Sequence, residues 1–111
     1  MRHETVGKHL VGSIGRARGD ETVAGVLARL AAEKPSSVEL ICVTDSAGRL
    51  LGALPIARLF ALEGVVILRE AMDPAFPRIG PDEDQETAAS LALHHGVDAL
   101  PVVDREGGCW A

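Results

Sequence analysis

Ile41-Cys42-Val43-Thr44-Asp45-Ser46-Ala47-Gly48 is a β-rich run closing in a turn, and it returns later as Leu100-Pro101-Val102-Val103-Asp104-Arg105-Glu106-Gly107. The strand-ending aspartates, Asp45 and Asp104, lie 59 residues apart. Upstream of each run stands an acidic opening followed by an Ala/Leu-rich stretch. These openings, Asp20-Glu21-Thr22 and Asp82-Glu83-Asp84, lie 62 residues apart. The mismatch between the two offsets fits a longer helix-to-strand connection in the first copy. Repetition of this kind predicts two like units packed on each other, with any ligand held in the crevice between them.

Working outward from the first run, Thr22 is an N-cap candidate, its hydroxyl able to accept from the first free amides of a helix. Val23, Val26, Leu27 and Leu30 then fall on one helical face. Pro35-Ser36-Ser37 ends that helix. Val38 to Thr44 reads as a strand, Asp45 to Arg49 as a hairpin turn, and Leu50 to Leu54 as the returning strand. Pro55 suits the first turn of a following helix, with Ile56, Leu59 and Phe60 facing inward. Before the first helix, Val6 to Val11 forms a short lead-in. Gly12, Gly15 and Gly19 break regular structure around a very short strand at Ser13-Ile14.

The second copy starts near Ala71-Met72, with Pro77-Arg78-Ile79 as its short strand. Asp84 takes the N-cap place of Thr22, the helix runs to His95, and Gly96 supplies the left-handed closing conformation. Leu100 to Asp104 is the next strand, Arg105 to Gly108 the turn, and Cys109-Trp110-Ala111 the start of a returning strand. The sequence therefore predicts an α+β chain of two β-α-β-β-α repeats, over residues 1–65 and 66–111. The second lacks a counterpart of Leu54 through Leu62, which leaves its strand edge and apolar face for a partner chain to cover.

The chain has 111 residues, 47% of them hydrophobic and 24% charged, enough apolar material for one compact domain or two half-size lobes sharing a core. With two Phe, one Trp and no Tyr, that core is aliphatic, and aromatic stacking on bases is not offered. A net charge of −5 argues against nucleic acid or an anionic membrane as partner. Residues 1–55 carry seven Lys/Arg against six Asp/Glu, and residues 56–111 carry four against ten, so the acidity belongs to the second half. Cys42 in an apolar strand and Cys109 near the end, with no secretory leader, suggest a reducing cytoplasmic setting. The longest nearly apolar stretch, Leu59 to Leu68, is interrupted by Glu63, so no membrane span is expected.

Asp82, Glu83, Asp84 and Glu86 set four carboxylates within five residues. Hard oxygen donors of this kind suit Mg²⁺, which keeps several waters and often takes ligands from more than one chain. The same acids also suit a helix N-terminus, where they favour the positive end of the dipole. His94 and His95 point about 100° apart on a helix and cannot chelate together. With neither Cys-x-x-Cys nor His-Glu-x-x-His, zinc is not expected. Gly7 to Gly15 does not have the glycine, lysine and hydroxyl order of a phosphate loop. No nucleophile has an assignable base, so the chain is read as a non-enzymatic module.

The repeated unit, with Asp98-Ala99-Leu100-Pro101-Val102-Val103-Asp104 and Val43-Thr44-Asp45-Ser46-Ala47-Gly48-Arg49-Leu50-Leu51-Gly52, resembles a tandem pair of CBS domains, a Bateman module with pseudo-two-fold symmetry. Pro81 to Ala88 followed by Ala99 to Asp104, and the long connection from Ala31 to Glu39, look most like the cytoplasmic pair of MgtE-type magnesium transporters. The resemblance implies a cytoplasmic, homodimeric regulatory segment that senses Mg²⁺, with a membrane transport domain or other effector domain lying outside this sequence.

Adenine nucleotide is the alternative ligand that the resemblance implies. Its pocket would lie between the copies, lined by Ile14, Gly15, Val43, Gly52, Arg58, Pro101 and Val102. Here Gly52-Ala53-Leu54-Pro55-Ile56-Ala57-Arg58 departs from the family's nucleotide motif, with proline in place of the hydroxyl donor and arginine in place of the ribose-binding acid. A dimerisation module without a ligand is the third reading.

Overall fold

A computed structural model of the chain describes residues 14–33, 38–97 and 99–109. The lead-in at 6–11, the helix stop at 35–37, and Trp110 and Ala111 lie outside them. The order is β1 (Ile14–Arg18), α1 (Val23–Glu33), β2 (Leu40–Thr44), β3 (Leu50–Pro55), α2 (Ile56–Ala61), α3 (Leu68–Ala71) and α4 (Gln85–His95). β1 pairs parallel with β2, and β2 pairs antiparallel with β3, in a three-stranded sheet with β2 at its centre. Among the described residues, no helix is long and apolar enough to cross a membrane.

The first copy is thus a complete β-α-β-β-α unit. Its helix starts as the sequence predicts: Thr22 Oγ1 accepts from the Gly25 amide at 3.1 Å. In the second copy Asp84 does the same for the Thr87 amide at 2.7 Å, and Gly96 closes α4 with φ 68°. Thr22 and Asp84, and likewise Gly25 and Thr87, are related by the same 62-residue offset that the sequence displays.

The two turns match bond for bond. The Asp45 carboxylate accepts from the amides of Ala47 and Arg49, and the Asp104 carboxylate accepts from those of Glu106 and Gly108. Donation from the Arg49 and Ala47 amides holds the exposed Asp45 carboxyl below its ordinary range. Each turn closes on a glycine in the left-handed region, Gly48 at φ 83° and Gly107 at φ 85°, where an L side chain is strained.

The copies then meet through these turns. The Leu50 amide donates to Gly107 O at 2.9 Å, and the Cys109 amide donates to Gly48 O at 3.0 Å. Shifting each residue of the first bond by the 59-residue offset yields the second bond, with the roles of the copies exchanged. That exchange is a pseudo-two-fold axis, running between Arg49 and Gly108, which form an antiparallel bridge.

Burial follows the same plan. All five residues of β2 are buried, so both faces of the central strand are covered. Ile41 and Val43 face the first copy's core with Val23, Val26, Leu54, Leu59 and Leu68. Leu40 and Cys42 face a core shared by the copies, with Leu50, Ala53, Phe76, Ala99 and Cys109. A small cluster of Ile79, Ala88, Leu100 and Val102 serves the second copy.

Some local expectations need correction. Gly15 does not break structure; it lies inside β1, paired with Ile41, because the parallel ladder engages its backbone. Pro55 ends β3 and stands one residue before α2 instead of within its first turn. Phe60 does not face inward: it is 69% exposed, while its neighbour Leu59 is fully buried. Consecutive helical residues diverge by about 100°, so in a helix this short one of the two must turn away. The second copy's predicted strands reduce to bridges, Ile79 with Val102 and Val103 with Cys109. The short helix α3 was not anticipated; its buried residues Leu68 and Ala71 carry the i, i+3 signal.

Asp84→Ala removes the α4 cap and is expected to lower stability by about 1 kcal/mol. Urea denaturation checks this, with Asp84→Asn, which keeps an acceptor, losing less.

Candidate functional site

Two open clefts occupy equivalent places in the two copies, each beside the start of the long helix and the end of the first strand. The first-copy cleft, about 590 Å³, is lined by Arg16, Ala17, Arg18, Asp20, Glu21, Arg29 and Thr44. The second-copy cleft, about 910 Å³, is lined among others by Arg78, Ile79, Gly80, Glu83, Asp84, Glu86, Thr87, Ser90 and His94. The repeat offset relates Arg16 to Arg78, Ala17 to Ile79 and Glu21 to Glu83.

Their charge differs. In the first, three arginines face two acids, and the Arg29 guanidinium binds the Glu21 carboxylate at 3.0 Å and Arg16 O at 2.9 Å. The Glu21 carboxylate also accepts from the Arg18 amide at 2.6 Å. In the second cleft, three carboxylates face Arg78, whose guanidinium is turned to Pro74 O at 2.8 Å and Phe76 O at 3.3 Å. One fold position thus carries an internally paired basic cleft in one copy and an acidic cleft in the other.

Three of the four acids singled out in the sequence, Glu83, Asp84 and Glu86, line that second cleft, and Asp82 is exposed next to it. Asp84 serves as helix cap, and Glu86 stands exposed in the first turn of α4. Their oxygens are the donor chemistry that Mg²⁺ takes. Among the described residues, however, no three His, Cys, Asp or Glu side chains gather as a metal-holding group. His94 and His95 stack edge to face with ring centroids 5.1 Å apart, with His94 on the cleft wall.

The seven residues placed around a nucleotide are spread over the fold. Val43 lies in the first copy's core, Val102 in the second copy's cluster, and Ile14 packs against the shared core. Pro101 is buried and Arg58 exposed. A Cβ on Gly15 would stand 3.0 Å from Ile41 Cδ1, and one on Gly52 would stand 2.7 Å from Asp73 O, so both glycines answer to packing. None of the seven lines either charged cleft. The cavity that does open between the copies, about 100 Å³, is lined by Glu39, Leu40, Pro55, Phe76, Gly96, Val97 and Ala99. Sequence reading missed it because its residues come from four separate stretches of the chain. An apolar groove of about 360 Å³ lies between α1 and α2, lined by Leu27, Leu30, Ala31, Val38, Ile56 and Phe60.

Residues 68–109 match the family model of the CBS domain. The cytosolic domain of the Mg²⁺ channel MgtE in complex with ATP is 32% identical over 88% of this chain and 40% of that one, with a TM-score of 0.81. The soluble part of a magnesium transporter, 18% identical over 97% of this chain and 43% of that one, has a TM-score of 0.84. CBSX2 in complex with AMP, 24% identical over 95% of this chain and 85% of that one, has a TM-score of 0.77. The last two show the fold alone. The chain spans about two fifths of the length of the two magnesium-transport structures. No curated protein matches it. With the repeated turns, the exchanged bonds across their axis and these likenesses together, residues 68–109 are a CBS domain and the chain has the fold of a CBS pair, a regulatory module.

Proposed function

We propose that this chain is the Mg²⁺-sensing part of an MgtE-like magnesium transport system, acting without catalysis and as a homodimer on the cytoplasmic side of a membrane. The observation that carries this reading is the acidic second-copy cleft, which Glu83, Asp84 and Glu86 line beside exposed Asp82. The 32% identity to the cytosolic domain of a Mg²⁺ channel supports it. Because the described residues gather no complete ligand set, the cation is held in this reading through waters and by carboxylates of a second chain. Acidic surfaces repel until a divalent cation stands between them, so Mg²⁺ favours one packing of the dimer over another, a shift of population set by its differential affinity.

Calorimetry with Mg²⁺ tests this on the 111-residue chain and on Asp82→Asn/Glu83→Gln/Glu86→Gln, which leaves the Asp84 cap in place. A saturable heat in the parent and its loss in the variant are expected. No response, or an equal response in both, would refute the assignment.

Adenine nucleotide is the second reading, favoured by the cavity between the copies and by the ATP and AMP held in two similar structures. At about 100 Å³ that cavity is smaller than the 300 Å³ or more of typical ligand pockets, so a nucleotide would have to widen it. Thermal shift with AMP, ATP and S-adenosylmethionine separates the readings; no shift at millimolar ligand counts against this one.

A further inference from the structure

Cys42 and Cys109 face each other across the joint between the copies. Cys42, in β2, is fully buried, and Cys109 is 8% exposed. Neither forms a disulfide, both belong to the core the copies share, and the Cys109 side chain is the largest influence raising the Cys42 thiol above its ordinary range. The backbone sets this meeting. Cys109 donates its amide to Gly48 O and bridges Val103 across the second turn. Arg16, the β1 partner of Cys42 in the sheet register, donates from its guanidinium to the Cys109 carbonyl.

We propose that Cys42 and Cys109 form a redox modification site, closing to a disulfide that clamps the central strand of the first copy to the 107–109 segment of the second. The oxidant is a small-molecule disulfide of the glutathione class. The Cys109 thiolate attacks one sulfur of the oxidant, and one glutathione leaves as thiol. The Cys42 thiolate then attacks the Cys109 sulfur of the mixed disulfide, and the second glutathione leaves. Two protein thiols become one disulfide, one small-molecule disulfide becomes two thiols, and the two protons pass to the leaving groups.

Cys109 goes first because it stands at the edge of the core, whereas Cys42 has no access to solvent. While the joint is closed the pair is protected: the Cys109 side chain, then burial, hold the Cys42 thiol well above its ordinary range. Reaction therefore follows a local opening of the 107–109 segment, which two backbone bonds tie to the first copy. Oxidation samples the open joint and then fixes it shut. Its effect on ligand response rests on the sensing function proposed above; formation of the bond does not.

The 111-residue chain, incubated with excess oxidised glutathione at about pH 8 and quenched with N-ethylmaleimide in denaturant, tests the proposal. The expected product is a monomer lighter by two hydrogens, with no label on either cysteine. Its melting temperature rises by about 10 °C or more, and dithiothreitol reverses both changes. Two labelled thiols, a glutathione adduct that never resolves, or a covalent dimer would overturn the proposal. Cys42→Ala should stop at a mixed disulfide with no rise in melting temperature, and an equal rise would overturn it too. Should that variant not fold, Cys109→Ala, altered at the rim of the core, should take up no glutathione and show no rise in melting temperature, and a rise equal to the parent's would overturn the proposal.

Discussion

Gly52→Ala should lower the stability of this protein by about 2 to 3 kcal/mol, although it adds a single methyl group to a strand. The new Cβ would stand 2.7 Å from Asp73 O, 2.9 Å from Met72 Sδ and 3.0 Å from the Asp73 carbonyl carbon. Two of those three atoms are backbone, held by reciprocal bonds: Ala53 donates to Asp73 O at 3.2 Å, and Asp73 donates to Ala53 O at 2.9 Å. The methyl group can be accommodated only by pushing the 72–73 segment off β3, which strains that pair. A urea titration reads the loss, and Gly48→Ala, with nothing within 4 Å of its Cβ, isolates the smaller cost of positive φ. A Gly52→Ala midpoint equal to that of the parent protein would mean that the 72–73 segment does not cross β3 as described.

Leu59→Ala should cost about 3 kcal/mol, and Phe60→Ala less than about 1 kcal/mol, although the two residues are adjacent on one helix. Leu59 is fully buried against the first copy's core, so truncation leaves a cavity. Phe60, 69% exposed, lines the apolar groove between α1 and α2 and supports no part of the interior. If the proposed homodimer uses that groove, Phe60→Ala should weaken self-association in sedimentation equilibrium while the monomer stays folded. Similar losses of stability in the two variants would contradict the orientation of α2.

What the sequence made legible was whatever is specified locally. Thr22 and Asp84 announce helix starts through side-chain acceptors one turn from the amides they serve, and both caps form. Asp45-Ser46-Ala47-Gly48 and Asp104-Arg105-Glu106-Gly107 announce their turns through an aspartate and a left-handed glycine, and both turns close with the same bonds. The packing role of Gly52 is not legible, because the 72–73 segment that crosses it lies some twenty residues away and nothing nearby in sequence points to Asp73. Phe60 belongs to a hydrophobic run of α2 that is wider than the face the sheet can cover, so the run alone does not separate it from buried Leu59. Similarly, the acids from Asp82 to Glu86 are legible as a charged patch, but the sharing of one cleft by Glu83, Asp84 and Glu86 with Arg78 and His94 depends on how α4 packs.

The opposite charge of the two equivalent clefts also has a local origin. A shared backbone plan leaves side chains at matched positions free to diverge, so Arg18 and Arg29 stand where the second copy has Gly80 and Leu91.

Two like lobes joined turn to turn require the backbone of residues 48–50 to lie antiparallel to that of 107–109. In NMR spectra of the chain, the α-protons of Arg49 and Gly108 should give a strong cross-peak, because they face each other without a direct hydrogen bond at a spacing of about 4.5 Å between Cα atoms. The Leu50 and Cys109 amides should exchange slowly together, since each bonds the other copy. No such cross-peak, with both amides exchanging as fast as exposed Ser46, would contradict the pairing of the copies on which this structure rests.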